Sequence, residues 1–246
     1  MTILLILSVL AGSDEFDLLS AQLHIETGDA LLQQGLLEQA EQEFRYALDA
    51  VPDCPSAILG LGRVYAACSS IGTAEEFFRE FITLAPDDYR GYYELSVLML
   101  GTGRPDSAFA MSDSAFVRAP GNPDVWMLSG RTAIAAADTL AAERWFLRGL
   151  QDPGPVGLES RTLLATLYRA TGRSTEAREL LLPAAQSGYA PAWWGLAMVY
   201  LSWNDFMRGV DAIGNYLTLA PEGAYADSAV LVLQALAESG DYIAPD

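Results

Sequence analysis

A chain of 246 residues, 51% hydrophobic and 19% charged, has the composition to bury a sizeable core and lacks that of a disordered segment. Its formal net charge of −18, from 32 acidic against 14 basic residues, repels phosphate backbones and anionic membrane surfaces over long range, which disfavours nucleic acid as a partner. Every basic residue is arginine, so Schiff-base chemistry, a phosphate-loop lysine and lysine modification drop out together.

Met1–Gly12, MTILLILSVLAG, is too short for a spanning helix and has the length of a signal peptide's apolar region. Val9-Leu10-Ala11 offers a small-residue cleavage pattern. Leu10-Ala11-Gly12 resembles the start of a bacterial lipobox, but Ser13 stands where that motif needs Cys. The segment reads as a signal-peptide remnant on a periplasmic or otherwise exported chain. The alternative is a cytoplasmic chain whose apolar N-terminal helix packs on the first repeat. Membrane association is left to this segment alone. Ser13-Asp14-Glu15 then supplies an N-cap and an acidic first turn.

From residue 21 onward the same marks return at one interval. Residues 21–54 carry Gly28, Leu31, Ala40, Phe44, Ala47 and Pro52; residues 55–88 carry Ile58, Leu61, Gly62, Tyr65, Ala74, Phe78 and Pro86. Residues 89–122 repeat them with Tyr92, Leu95, Ser96, Gly103, Ala108, Ala115 and Pro120, and residues 123–156 with Trp126, Gly130, Ala142 and Phe146. The last of these windows displaces its terminal proline into Asp152-Pro-Gly-Pro155, a loose connection that shifts the register by about one residue. Residues 158–190 hold Leu164, Ala165, Tyr168, Ala177 and Leu181, but Pro183 falls inside the second helix and predicts a kink and an early end. Residues 190–223 return to register with Trp193, Leu196, Ala197, Tyr200, Tyr216 and Pro221, with Gly209 where alanine is usual. Ala224–Ser239 has Val230, Leu233, Leu236 and Ala237 at helical spacing and polar Asp227, Gln234 and Glu238, the pattern of a capping helix, with Gly240 as its stop.

These offsets are those of the 34-residue pattern W-x₂-L-G-x₂-Y…A-x₃-F…P, and residues 55–88 resemble a tetratricopeptide repeat. The resemblance implies an all-α, right-handed α-solenoid of about six helix–turn–helix repeats plus a C-terminal capping helix, one continuous domain over residues 14–240. It also implies a non-enzymatic scaffold that binds a protein or peptide partner in a groove lined by the first helices. Carried over position by position, the groove residues are Arg63, Tyr93, Met127, Arg131, Arg169, Trp194 and Met198. Arginine can fork onto a carboxylate, while Tyr, Trp and Met give apolar area at low entropic cost. The competing reading packs Tyr93, Met127 and Trp194 against neighbouring helices and pairs the arginines with the protein's own carboxylates. Ile25, Asp29, Gly60, Arg90 and Glu94 do not reproduce the paired Lys and Asn of repeats that clamp heat-shock chaperone tails.

Catalysis finds no machinery. Glu75-Glu76 and Asp87-Asp88 sit near helix starts, where the macrodipole and solvent account for them. His24 is the one histidine and reads as a core-facing residue, so no histidine metal cluster forms. Cys54 and Cys68 flank one helix, roughly 20 Å apart at 1.5 Å per residue, and read as two buried thiols outside disulfide reach. No catalytic residue, metal or cofactor is expected. The alternative function is a structural subunit of a bacterial envelope assembly or secretion complex.

Overall fold

The computed structural model describes residues 13–239, so the readings of Met1–Gly12 and Gly240 lie outside the described residues. Among the described residues there are thirteen helices and no strand: α1 Ser13–Gln33, α2 Leu37–Ala50, α3 Pro55–Ala67, α4 Ile71–Leu84, α5 Tyr89–Gly101, α6 Pro105–Arg118, α7 Pro123–Ala135, α8 Thr139–Gly149, α9 Pro155–Ala170, α10 Ser174–Gln186, α11 Ala190–Ser202, α12 Phe206–Leu219 and α13 Ala226–Ser239. This is the all-α helix–turn–helix array that the sequence implies. None of these helices is long and apolar enough to cross a membrane.

The chain divides into two compact units, one ending at Ala136 and one beginning at Ala137. The first holds α1–α7 and the second α8–α13, so α7 and α8, one repeat by sequence, belong to different units. The division falls in the α7–α8 turn, not at Asp152–Pro155.

Local chemistry explains where helices start and stop. Pro55, Pro105, Pro123 and Pro155 open helices at the first position, where a missing N–H leaves nothing unpaired. Asp88, Asn122, Asp138 and Asp205 cap α5, α7, α8 and α12 by accepting a backbone N–H with the side chain. The second helices α2, α4, α6 and α12 end on Val51, Ala85, Ala119 and Ala220, each outside the helical region with φ between −133° and −143°. Each precedes a proline, whose ring excludes the helical conformation from the residue before it.

The turns inside the repeats use a different device. Gly35, Ser69, Gly103, Ala137, Gly172 and Asn204 all have positive φ, between 57° and 80°. Around most of them the next residue's N–H reaches back five residues, as in Ser70 to the Tyr65 carbonyl at 2.9 Å and Arg104 to Met99 at 2.9 Å, closing the helix end. By residue number these turns recur at 34, 34, 34, 35 and 32. The 35 follows the displaced prolines of Asp152–Pro155. The 32 follows α10, which runs through Pro183 to Gln186 as one helix. Lacking a proline to end it, α10 closes on Gly188 at φ 88° with Tyr189 N–H donating to the Ala184 carbonyl.

In the first unit the core is layered by the same interval. Ala40, Phe44, Ala47, Ala74, Phe78, Phe81, Ala108 and Ala115 are fully buried or within 1% of it. Ser112 occupies the position of Phe44 and Phe78, and its hydroxyl lies 3.0 Å from the buried Thr132 hydroxyl. A hydrogen-bonded pair replaces a ring there. In the second unit Ala142, Phe146, Ala177, Leu181, Ala212 and Ile213 fill the equivalent layers.

Glutamates at matching positions of the second helices staple each pair to the next. Glu41 accepts from Tyr65 and Arg45, Glu75 from Arg79 and Arg104, and Glu143 from Tyr168 and Arg173. Two smaller expectations are corrected. Cys54 is half-buried and Cys68 exposed, because they sit at the ends of α3 and outside its buried stripe. His24 is 31% exposed and bonded to Glu43 at 2.6 Å, since it lies on the edge of α1 that faces α2.

The left-handed turns yield a paired prediction. Ser69→Gly relieves a conformation that disfavours a β-carbon and raises stability by about 1 kcal/mol. Gly103→Ala, whose added β-carbon would meet no atom within 4 Å, lowers it by about 1 kcal/mol through φ alone. Urea unfolding followed by helical circular dichroism reads both signs.

Candidate functional site

In the first unit α3 and α5 are neighbouring first helices, and their facing side chains make a cavity of about 210 Å³. It is lined by Arg63, Tyr89, Arg90, Tyr93, Glu94 and Asp124. Arg63 Nε donates to Glu94 Oε1 at 2.7 Å, with both side chains largely shielded. Arg90 curls back onto Asp88, its Nη2 donating to Oδ2 at 2.7 Å and its backbone N–H to Oδ1 at 2.9 Å. Both arginines are therefore engaged by the protein's own carboxylates. Glu94 also borders a second, mostly apolar cavity of about 260 Å³ with Ala66, Ile71, Phe78, Val97 and Leu98 among its walls.

The electrostatics of this surface follow from those pairings. Hydrogen bonds from Arg90 hold the Asp88 carboxyl below the ordinary aspartate range. Burial pushes Asp29 above it, against the lowering pull of Arg63 and Arg90. Burial likewise pushes the Tyr93 phenol up, aided by the charges of Asp124 and Glu94 and opposed by Arg131.

In the second unit a cavity of about 180 Å³ is lined by Ala165, Thr166 and Arg169 of α9, Leu181 of α10, Trp194, Gly195, Met198 and Val199 of α11, and Tyr225. The Tyr225 ring stacks on Trp194 with centroids 5.4 Å apart and planes 10° apart. Its backbone N–H donates to the Tyr216 hydroxyl at 2.9 Å, fixing the segment before α13. Trp194 also tilts against Tyr216 at 6.1 Å.

Five of the seven residues singled out by sequence line these cavities. Arg63 and Tyr93 share the first cavity, and the exposed Arg131 acts on Tyr93 through its charge. Arg169, Trp194 and Met198 share the cavity of the second unit. Met127 is only 7% exposed, packed into the core of the first unit although its repeat position matches Tyr93 and Trp194. The register misses Tyr225 as a wall, because the link before the capping helix has no counterpart in a repeat template. Among the described residues no group of three or more His, Cys, Asp or Glu side chains is arranged to hold a metal ion.

Residues 25–89 match a family model described as tetratricopeptide repeat. That match covers the helix–turn–helix pairs at the start of the array, about a quarter of the chain. Its fold is similar to that of PilF from Pseudomonas aeruginosa, with a TM-score of 0.72 at 19% identity over 92% of this chain and 99% of that one. PilW, described as a widely conserved type IV pilus biogenesis factor, superimposes with a TM-score of 0.73 at 15% identity over 85% and 98% of the two chains. YrrB, a repeat protein described as having an unusual peptide-binding site, gives 0.58 at 14% identity over 76% and 96%. In sequence, this chain is 28% identical over 222 residues, 88% of its length, to Cellulose synthase 2 operon protein C of Komagataeibacter xylinus. It spans 15% of that relative's length.

The opposite shifts of Asp88 and Asp29 give a titration prediction. Asp88 stabilises the fold above the ordinary aspartate range and loses that contribution as pH falls through its depressed value; Asp29, shifted up, loses its contribution as pH rises. Carboxyl carbon NMR titration is expected to put Asp88 below and Asp29 above the ordinary midpoint. Arg90→Gln moves both upward, since it removes a lowering partner from each.

Proposed function

We propose that this repeat protein is a non-enzymatic scaffold that binds a peptide or a partner helix along the first helices of its repeats. The carrying observation is that residues on successive first helices, Arg63 with Tyr93 and Thr166 with Met198, border shared cavities. Such surfaces offer aromatic and arginine anchors, the side chains that dominate measured interface energetics. Charged pairs already formed, such as Arg63–Glu94, add register and selectivity more than affinity. The likeness to YrrB, a protein described by its peptide-binding site, supports the same reading.

A second reading, a structural subunit of a bacterial envelope assembly on an exported chain, draws on the relatives named for a cellulose synthase operon and for pilus biogenesis. Fusing residues 1–20 to a reporter active only outside the cytoplasm tests the export that it requires. A reporter silent at all times rejects it.

The binding surface itself is tested by site-specific photocrosslinking in native cells. A benzoylphenylalanine at Tyr93 or Met198 is expected to capture a discrete partner identified by mass spectrometry. The same probe at Val117, which is 74% exposed on α6, is expected to capture none. Capture from position 117 alone overturns the assignment. Arg63→Ala combined with Tyr93→Ala is expected to weaken binding of the captured partner about tenfold with helical circular dichroism unchanged.

A further inference from the structure

The cavity of the second unit differs from that of the first in its charge. The chain carries a formal net charge of −18, and Arg45, Arg63, Arg79, Arg90, Arg104, Arg173 and Arg208 are each bonded to a carboxylate. Arg169 is exposed and, among the described residues, makes no such pair. Among the described residues no Asp or Glu lines the cavity. Thr166 adds no donor, because its hydroxyl proton goes to the Thr162 carbonyl at 2.9 Å. One uncommitted guanidinium thus stands beside an apolar recess whose wall is the Trp194–Tyr225 stack and whose remaining lining includes Leu181, Met198 and Val199.

Size narrows the occupant. Small-molecule sites span about 300–1,000 Å³, whereas this cavity is about 180 Å³ and matches a single large side chain. Gly195 contributes to that room: a β-carbon there would lie 2.9 Å from Leu181 Cδ1, so the position holds no side chain that would fill the recess. An aromatic ring inserted against the stacked pair gains contact beyond its buried area. A carboxylate beside it meets Arg169 without first displacing an internal partner, and so keeps the whole of the charge-assisted bond.

We infer that this cavity recognises an extended segment of a partner protein in which a phenylalanine-like side chain is adjacent to an Asp or Glu side chain. The ring enters the recess against Trp194 and Tyr225, and the neighbouring carboxylate takes the Arg169 guanidinium. The inference rests on the scaffold reading above and gives it a ligand class. Selectivity comes from the charge as much as from the ring. Among the described residues Arg169 is a cation without a carboxylate partner that also borders an apolar recess, so an acidic segment gains charge attraction where its ring finds a wall.

The test uses the full chain and fluorescein-labelled ten-residue peptides in a Gly/Ser background, acetylated and amidated so that no terminal carboxylate contributes. Three central pairs are compared by fluorescence polarisation: Phe-Glu, Phe-Gln and Ala-Glu. The wild-type protein is expected to bind Phe-Glu about tenfold more tightly than either of the others. Arg169→Gln removes the preference for Glu over Gln and keeps that for Phe over Ala; Trp194→Ala does the reverse. Both variants retain helical circular dichroism, and Tyr225→Ala serves as a second wall variant should Trp194→Ala unfold. Equal binding of the three peptides, an Arg169→Gln protein that still prefers Glu, or no peptide binding by the wild type overturns the inference. If crosslinking at Tyr93 still captures a partner in that case, the scaffold reading stands and only the ligand class falls. Loss of both removes the reading on which the inference rests.

Discussion

The Phe44 ring occupies the space in which a β-carbon on Gly28 would stand, 2.8 Å from the nearest ring carbon, and Gly60 on the next first helix meets the same ring. Phe78 lies in the same way on Gly62, and Leu181 on Gly195. One side chain on a second helix is thus seated against first helices that bring backbone close to it, which fixes distance and rotation together. No helix of the array buries its apolar face alone, and each depends on the neighbour that supplies the other wall. The side chains left facing outward from the first helices are set by that seating. Arg63 and Tyr93 face the same cavity because Phe44 and Phe78 are seated as they are.

Much of this is legible in the letters because the seating needs particular residue types at fixed intervals. Gly, Ala and Phe recur where only a small residue or a ring fits, and proline recurs where a second helix must stop. The departures are legible for the same reason. The prolines of Asp152–Pro155 lengthen one interval to 35 residues, and the absence of a stop proline after α10 hands that role to Gly188 and shortens the next to 32. Pro183 is followed by the early helix end that the sequence implies, at Gln186 before Gly188. It leaves the Glu179 carbonyl without a helical N–H, yet the helix continues for one more turn to Gln186.

The candidate site was less legible, and particular residues say why. Met127, Tyr93 and Trp194 hold the same repeat position, yet Met127 is buried and the other two are partly open; the pattern fixes the direction of a side chain but not what its neighbours cover. Pairings such as Arg63 with Glu94, 31 residues apart, depend on how two helices face each other. Tyr225 belongs to no repeat position, so nothing in the register marks it as the second half of the Trp194 stack. Cys68 is exposed because the buried stripe of α3 ends before it.

On the proposed scaffold reading, the two surfaces ask different things of a partner. In the first unit every arginine facing the cavity between α3 and α5 already holds a carboxylate. An incoming acid there must displace Glu94 or Asp88, and an incoming base must separate them from their arginines. Either exchange trades one charged bond for another and yields little net affinity. The adjoining apolar walls around Val97, Ile71 and Leu98 are then left to supply the binding energy. In the second unit Arg169 has no such prior commitment, and a new charged bond adds to the apolar contact. A chain with so large an acidic excess gains discrimination from that asymmetry. Paired arginines keep the first surface tolerant of many sequences, while one unpaired arginine beside a stacked wall makes the second exacting.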